Sequence, residues 1–334
     1  MALLASTWLI GCAGPAYRGA PPHAPFDGER FTNQAPFDPP GPLKILRWQL
    51  LDPVGEPWPD RIPARPAQPV AAVTSGARIT LIGHASVLIQ LDGVNVLADP
   101  VWAEHIGPIG PLGPRRFQPP GIRFDDLPPI HAVVISHDHF DHLDLPTLKR
   151  LAERHHPRIL AGLGTAAFLN EEGIPGGEDL DWWTSTTVGP VTVTMAPAQH
   201  WSRRGLGDQQ HRLWGSYFVA GTQKSVYFAG DTAWGPHFAQ VRERLGAPSL
   251  ALLPLGAYQP RWFMKSQHIG PDQAVAAHRT LGAGRSVGIH WGTFDLSDEG
   301  PFDPVVDLRQ ALRDQGLPED AFLARFNGGV VEAP

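Results

Sequence analysis

The chain has 334 residues, and its 42% hydrophobic and 18% charged content is typical of a globular protein with a substantial core. Its formal net charge of -6, without any run of Lys or Arg interleaved with aromatic residues, argues against nucleic acid as a partner. The single cysteine, Cys12, excludes an intramolecular disulfide and a zinc site built from thiolates.

The N-terminus begins with a predominantly apolar stretch that leads into Cys12. The sequence Leu9-Ile10-Gly11-Cys12 resembles the cleavage site of a bacterial lipoprotein, whose cysteine is diacylated. The stretch is too short to span a bilayer, and it lacks the Lys or Arg with which a signal peptide normally starts. We expect residues 1–12 to be a lipoprotein signal peptide and Cys12 to anchor the chain in the bacterial cell envelope. The alternative is an incidental apolar N-terminus on a cytoplasmic protein.

Residues 13–73 are rich in Pro, Gly and Ala and cannot form a core of their own. Within them the apolar island Leu43–Leu51 predicts a single helix. We interpret this segment as a linker followed by an arm that docks on the main domain, which is expected over residues 74–334. The expected anchors of the arm are aromatic: Phe31, Phe37 and Trp48.

From Arg78 onward, short apolar runs with many β-branched residues predict strands. The predicted strands are 79–82, 87–91, 94–98, 133–136, 191–196, 214–220, 225–229, 250–254 and 286–290. The predicted helices are 145–154, 164–171, 271–281 and 304–315. This alternation suits two sheets packed face to face with helices outside, and the polar motifs fall where strands end and loops begin.

The densest polar motif follows the predicted strand Val133–Ile135 directly. Four of its side chains within six positions are metal-ligand types: His137, His139, Asp141 and His142. At the end of a rigid strand, His137 and His139 can point at one ion while Asp141 and His142 turn toward a second. Imidazole and carboxylate without thiolate favour zinc, with manganese or iron as alternatives. The non-functional interpretation is a solvated histidine-rich loop.

This HxHxDH pattern resembles the metallo-β-lactamase superfamily, whose sites need three further ligands at later strand ends. The candidates in the expected order are His200, Asp231 and His290, each of which follows or ends an apolar strand. The resemblance implies a four-layer αββα sandwich that combines α+β and α/β features. It also implies that His137, His139 and His200 hold the first ion, that Asp141, His142 and His290 hold the second, and that Asp231 bridges both.

Two divalent ions about 3.5–4 Å apart can lower the pKa of a shared water to roughly 7 and neutralise charge that develops in the transition state. The site therefore predicts hydrolysis without identifying the bond, since phosphodiesters, lactones and amides all suit it. We expect two Zn²⁺ as cofactors, with Mn²⁺ or Fe²⁺ as alternatives. We count Asp141 among the catalytic residues as well as among the ligands.

Further segments look like N-acyl-phosphatidylethanolamine-hydrolysing phospholipase D and its bacterial relatives. They are Ile82–Ser86, Asp99–Trp102, Pro114–Arg116, Arg261–His268 and Gly288–Phe294, with Arg30–Asn33 and Ile45–Trp48 in the arm. The resemblance covers residues 28–330, and its least generic motif is Arg261–His268. It implies cleavage on the head-group side of the lipid, which releases an N-acylethanolamine and phosphatidic acid. It also implies a membrane surface as partner and a homodimer.

In that resemblance His268 is the histidine beside the metals. A histidine on a loop opposite the ions can protonate the departing alkoxide or bind a phosphate oxygen, a step worth typically about a hundredfold or more. The alternative is a surface histidine that flanks the next helix. His84 and Asp99 are expected to orient the ligands from behind rather than to take part in the chemistry.

Two arginines and two tryptophans are candidates for substrate contact. Arg115 and Arg116 lie in a Pro- and Gly-rich loop and suit bidentate phosphate binding, although a solvated loop pair is an equal alternative. Trp201 and Trp262 lie beside predicted site residues and are candidates for acyl-chain or head-group contact. Core packing explains most of the other aromatic residues.

Two other functions remain open from the sequence. A related branch resembles ascorbate-6-phosphate lactonase and shares the metal set, so a sugar-phosphate lactone or another small phosphodiester is an alternative to a phospholipid. From a different class, the chain could be an envelope lipoprotein that uses zinc only to hold its fold. The full ligand set argues against the latter, because structural zinc sites are usually closed four-ligand cages.

Overall fold

The computed structural model describes residues 16–38, 41–51, 55 and 57–334. The predicted signal peptide and its Cys12 lie outside the described residues, so the lipoprotein assignment stays a prediction. Within the described part of the chain, no helix has both the length and the apolar character needed to cross a membrane.

The first of two central sheets has seven strands in the spatial order β14-β1-β2-β3-β4-β5-β6. These strands are β1 (Ala77–Gly83), β2 (Ser86–Leu91), β3 (Val94–Ala98), β4 (Ala132–Ile135), β5 (Arg158–Gly162), β6 (Gly177–Leu180) and β14 (Val330–Glu332). Pairing is antiparallel from β14 to β3 and parallel from β3 to β6.

The second sheet also has seven strands, in the order β13-β12-β11-β10-β9-β8-β7. They are β7 (Ser185–Val188), β8 (Val191–Ala196), β9 (Ser216–Ala220), β10 (Ser225–Phe228), β11 (Leu250–Pro254), β12 (Arg285–Ile289) and β13 (Phe322–Leu323). Pairing is antiparallel from β7 to β10 and parallel from β10 to β13.

The two sheets pack face to face because alternate residues of each strand point to opposite sides. In β11, Leu250 and Leu252 enter the cluster between the sheets, whereas Leu253 enters the cluster beneath the outer helices. In β4, Val134 faces the other sheet and Val133 faces outward. The strands are therefore buried on both faces, which explains their nearly continuous apolar sequences.

Helices cover both outer faces. The first sheet is covered by α2 (Leu145–His155) and α3 (Thr165–Glu171), and the second by α4 (His237–Leu245), α6 (Pro271–Leu281) and α7 (Asp303–Asp314). The remaining helices are α1 (Pro42–Leu51) in the arm and the short α5 (Arg261–Met264). The four layers confirm the predicted αββα sandwich.

The arm lies against the sandwich through two of its aromatic residues. Phe31 is fully buried, and its backbone N–H donates to the carbonyl of Gln210 at 2.9 Å. Trp48 in α1 stacks on Phe263 with ring centroids 4.9 Å apart. Phe37 is half-buried. The contact between Trp48 and Phe263 brings the arm to the segment that carries His268.

Candidate metal centre

Every predicted metal ligand lies just beyond the C-terminal end of a strand. The histidine-rich loop follows β4, His200 follows β8, Asp231 follows β10, and His290 follows β12. Strands from both sheets end at the same edge of the sandwich, so the loops that follow them converge there. The structure brings all seven predicted ligands together at this edge, although they are spread over more than 150 positions of the chain.

Three histidines form one half of the cluster. His137 Nε2 lies 2.9 Å from His139 Nδ1, and His200 Nε2 lies 3.3 Å from the same atom. One nitrogen from each of the three rings lies within 4.8 Å of the others, which is close enough to bind a common ion. His137 and His200 are buried, whereas His139 is half-buried and lies toward the opening of the site.

The other half of the cluster contains Asp141, His142, His290 and also His84. Asp141 Oδ2 lies 3.4 Å from His142 Nε2, 3.5 Å from His290 Nε2 and 2.9 Å from His84 Nε2. His84, which the sequence assigned a role behind the ligands, thus touches Asp141 directly and lies within reach of an ion.

Asp231 lies between the two halves. Its Oδ2 is 3.1 Å from His142 Nε2 and 3.0 Å from His290 Nε2 in one half. The same oxygen is 3.9 Å from His137 Nε2 and 4.0 Å from His200 Nε2 in the other. This is the position that a carboxylate needs in order to contact two ions at once.

The histidine nitrogens that point away from the cluster have fixed partners. His142 Nδ1 donates to Asp99 Oδ2 at 2.6 Å, and His137 Nδ1 contacts Ser136 Oγ at 2.9 Å. His200 Nδ1 donates to the carbonyl of Gln267 at 2.9 Å. Such partners fix the tautomer, so that the opposite nitrogen presents its lone pair to the centre.

Two of these partners, Ser136 and Gln267, were not identified from the sequence. Ser136 is the first residue of the histidine motif, and its hydroxyl joins His137 to Asp99 by donating to Asp99 Oδ2 at 2.5 Å. Gln267 is separated from its partner His200 by 67 positions. The only local signal for Gln267 was its place beside His268 in the most specific motif.

The backbone at the site is held in uncommon conformations. His84, Asp99 and His290 have φ values of 57°, 38° and 61°, in the left-handed region that non-glycine residues seldom adopt. Gly230, at φ 59°, lets the Asp231 loop approach the β4 loop, because a Cβ atom there would lie 2.5 Å from Ser136 Cβ. Strain and close approach of this kind are common at functional sites.

The histidines of the cluster differ in their pKa values, so some are neutral and others are charged near pH 7. Burial lowers the pKa of His139 to about 4 and that of His200 to about 3, so both rings are neutral near pH 7. Burial also works to lower the pKa of His290, but the negative charge of Asp231 and the close contacts of the ring with the Asp141 and Asp231 carboxylates raise it to about 9. The same carboxylates raise the pKa of His142. The two carboxylates therefore need positive charge beside them, which either protons or metal ions can supply.

His268 lies within the centre rather than on the surface. Its side chain is buried, and its Nδ1 lies 3.9 Å from Asp231 Oδ2. Its ring centroid is 5.3 Å from that of His200 and 5.3 Å from that of His290. Burial lowers the pKa of His268 to about 3, so the ring is neutral near pH 7. The interpretation of His268 as a surface residue flanking a helix is therefore wrong.

The predicted tryptophans lie close to the cluster or to its supporting loop. Trp201 packs edge-on against His139 with centroids 4.5 Å apart, and its Nε1 donates to Gln267 Oε1 at 2.8 Å. Trp262 is half-buried, packs against Phe263 and lies beneath the guanidinium of Arg47.

The predicted arginines are not brought to the cluster. Arg115 Nη2 donates to the carbonyl of Asp60 at 2.7 Å. Arg116 is buried, and its guanidinium donates to the carbonyls of Val101 and Ala103. That guanidinium also lies over Phe294, whose ring packs edge-on against His84. Arg116 thus contacts the wall behind His84.

The donor set fits divalent metal ions. His142 Nε2 and His290 Nε2 are buried and face the carboxylates of Asp141 and Asp231 without a well-aligned hydrogen bond, and Asp231 Oδ1 is buried with no hydrogen-bond partner among the described residues. Buried polar atoms without partners are costly, so they indicate that another group normally binds there. Neutral imidazoles and ionised carboxylates are the ligands that zinc and similar ions prefer.

The chain is similar to known proteins in sequence and in fold. A family model described as a β-lactamase superfamily domain matches residues 94–291. N-acyl-phosphatidylethanolamine-hydrolyzing phospholipase D 1 of Caenorhabditis elegans is 38% identical over 275 residues, which cover 78% of this chain and 76% of that protein. A metal-dependent hydrolase of Methanopyrus kandleri is 29% identical over 243 residues, covering 72% and 93% respectively. The structure of a metallo hydrolase from Ignicoccus hospitalis matches with a TM-score of 0.58 at 21% identity, covering 78% and 99%.

Proposed function

Because the chain belongs to the metallo-β-lactamase superfamily, as a metal-dependent hydrolase close to the N-acyl-phosphatidylethanolamine-hydrolysing phospholipases D, we propose that it hydrolyses N-acyl-phosphatidylethanolamine or a closely related lipid. The single observation that carries this proposal is the position of His268, buried beside Asp231 in the ligand cluster and supplied by the segment typical of that branch.

The cofactors in this proposal are two zinc ions, with manganese or iron as alternatives. His137, His139 and His200 would hold one ion, and Asp141, His142 and His290 the other. Asp231 would contact both, since its Oδ2 lies within 4.0 Å of a nitrogen from each half. His84 would hold Asp141 in place through its 2.9 Å contact.

When bound, the two ions would activate a water and stabilise negative charge on the phosphate oxygens. The oxygen of the water would add to phosphorus, the P–O bond to the N-acylethanolamine would break, and the departing oxygen would take the proton that the water gives up. The neutral ring of His268 is suited to donate an N–H hydrogen bond to a phosphate oxygen or to the departing oxygen. Asp141 and Asp231 keep the ligand rings oriented while charge develops.

The substrate contacts in this proposal come from the residues that surround the opening. Trp201, which packs on His139, is a candidate for contact with the acyl chain or the head group, and Trp262 is a second. The guanidinium groups of Arg115 and Arg116 already donate to backbone carbonyls. We therefore assign phosphate binding to His268 rather than to this arginine pair.

A membrane surface is part of the proposal because the substrate is a lipid. Helix α1 carries Leu43, Leu46 and Leu50, which are 82%, 51% and 69% exposed and follow a helical spacing. Lys44 and Arg47 lie on the same helix. Since Trp48 fixes this helix against Phe263, the exposed leucines lie near the segment that carries His268. An apolar helical face flanked by basic residues suits the interface of a bilayer.

Location and assembly complete the proposal. Acylation of Cys12 would anchor the protein in the bacterial envelope, since a two-chain anchor holds far better than a single chain. Radioactive palmitate should label the wild-type chain but not Cys12→Ser, and absence of label in the wild type would contradict the anchor.

A homodimer is also proposed, and sedimentation equilibrium at micromolar concentration would test it.

The experiment that tests the reaction is a substrate panel with zinc-loaded protein. The panel contains N-acyl-phosphatidylethanolamine, phosphatidylcholine, bis-p-nitrophenyl phosphate, a sugar-phosphate lactone and a β-lactam, and product masses are recorded. Release of N-acylethanolamine and phosphatidic acid would support the proposal. Opening of the lactone alone would favour the lactonase alternative. Failure of metal-replete protein to cleave any member would favour a binding role.

A further inference from the structure

The side chain of Asn33, in the arm, binds both backbone groups of the ligand residue His200. Asn33 Nδ2 donates to the carbonyl of His200 at 2.7 Å, and the N–H of His200 donates to Asn33 Oδ1 at 3.0 Å. The two residues are separated by 167 positions. One amide side chain thus fixes the backbone of a ligand in the way that a neighbouring strand would.

Neighbouring arm residues extend this contact to the rest of the site. Gln199 Nε2 donates to the carbonyls of Ala35 and Pro36 at 3.2 and 3.3 Å. On the other side, Ser266 Oγ donates to the carbonyl of Asp38 at 3.0 Å. The arm therefore joins the loop that carries His200 to the loop that carries His268.

His200 depends on such a contact more than the other ligands of its half do. His137 and His139 lie in the short loop after β4, where Asp99 accepts a 2.7 Å hydrogen bond from the N–H of Ser136. His200 instead lies in the long segment 197–215 between β8 and β9, beyond the ladder of both strands. Because buried backbone groups need partners, Asn33 takes the place that a strand would otherwise fill.

We propose that Asn33 is a positioning residue for the metal centre and that the arm is a structural part of that centre. The amide holds the His200 backbone so that Nε2 faces His139, while Gln267 fixes the opposite nitrogen of the ring. Loss of the amide leaves the N–H and the carbonyl of His200 without these partners, so the backbone that carries the ring is held less firmly. The inference rests on the two-ion site proposed above, and it concerns the half formed by His137, His139 and His200.

The test is zinc binding by Asn33→Ala, measured by competition with a chromophoric chelator. The variant should bind one of two zinc ions about 10–100-fold more weakly than wild type, the range typical for loss of a partner that orients a ligand. Thr32→Ala, which changes an exposed neighbour in the same segment, is the matched control and should bind both ions normally. Circular dichroism and thermal unfolding of the metal-free proteins show that each variant is folded.

Cobalt substitution identifies which ion is affected. The absorption spectrum of Co²⁺-loaded Asn33→Ala should change in the same direction as that of His200→Ala and differ from that of Asp141→Asn. Wild-type affinity for both ions in Asn33→Ala, or equal weakening of both, would overturn the inference. Wild-type protein that binds two ions but cleaves no lipid would refute the proposed reaction and leave this result standing.

Discussion

Asp99 accepts a hydrogen bond from His142 Nδ1 at 2.6 Å, and both side chains are fully buried. The same oxygen accepts the hydroxyl of Ser136, which in turn contacts His137 Nδ1. One carboxylate thus orients a histidine in each half of the cluster. Asp99 lies at the end of β3, in the left-handed backbone region, which aims its side chain at both partners.

We expect Asp99→Asn to weaken zinc binding by about 10–100-fold, because the amide cannot accept from His142 and Ser136 as a carboxylate does. Chelator competition gives the affinity of each ion. Asp125→Asn changes an exposed carboxylate and serves as the control. Unaltered affinity in Asp99→Asn would contradict the orienting role.

His268→Gln should lower turnover of a phosphodiester by about a hundredfold while both ions stay bound, because His268 contacts the substrate rather than a metal in our proposal. Metal analysis and single-turnover rates on the same preparation separate the two effects. Lys265→Ala, an exposed change in the same segment, is the matched control. If His268→Gln loses one ion, the residue is a ligand instead.

Arg212 is a buried cation that contacts two buried carboxylates. Its Nε lies 2.5 Å from Asp138 Oδ2, and its Nη2 contacts Asp208. Asp138 lies between the ligands His137 and His139. We expect Arg212→Met to lower the free energy of unfolding by about 3–5 kcal/mol, because both carboxylates stay buried without their partner. Urea unfolding measures this loss, and Arg309→Met on the exposed face of α7 is the control. A loss below about 1 kcal/mol would contradict the prediction.

His237 should make stability depend on pH. Burial lowers the pKa of His237 to about 3, from 6.5 in the unfolded chain. The unfolded state therefore binds a proton below about pH 6.5 that the folded state does not, and stability falls as pH drops from there toward 3. His237→Gln lacks this group, so acid should destabilise it less than it destabilises wild type. The difference in free energy of unfolding between the two proteins should therefore narrow as pH falls from about 6.5 toward 3, by at most about 1.4 kcal/mol per pH unit. A difference in free energy of unfolding that stays constant with pH would refute the prediction.

The leucines of α1 should control membrane binding. Replacing Leu43, Leu46 and Leu50 together by Ser removes apolar contact worth about 0.8 kcal/mol per buried methylene. We expect a large fall in sedimentation with anionic phospholipid vesicles and little change in turnover of a water-soluble diester. Val306→Ser, an exposed apolar change on α7, is the control. Equal vesicle binding by the triple variant would exclude α1 as the contact.

Most central strands could be predicted from sequence because they are apolar on both faces, although the interior strand β5, Arg158–Gly162, was missed. β8 and β11 begin and end at the predicted residues, Val191–Ala196 and Leu250–Pro254. The edge strands β6 and β7 were not predicted, since Gly177–Leu180 and Ser185–Val188 are largely polar and owe their structure to pairing with β5 and β8. Helix α4 was also missed, although Phe238 and Val241 have helical spacing.

The ligands could be predicted because each comes immediately after an apolar strand, which is a local signal. The residues that hold them in place could not. Asn33 and Gln267 reach His200 from segments far along the chain, and their roles depend on how the arm and the α5 loop pack. The burial of Arg116 was likewise set by the approach of Phe294 and the carbonyl of Val101, neither of which lies beside it in sequence.

The ligands are divided between the two sheets of the sandwich: the β4 loop of the first sheet supplies His137 and Asp141, and the second sheet supplies His200 and His290. Ions bound in this cluster would therefore act as cross-links between the halves of the fold, much as disulfides do in secreted proteins. The chain has a single cysteine and no such covalent link of its own. The stability of the fold and its hydrolytic activity would then both depend on the bonds between the ligands and the ions. A cell short of metal would therefore lose stability and activity together.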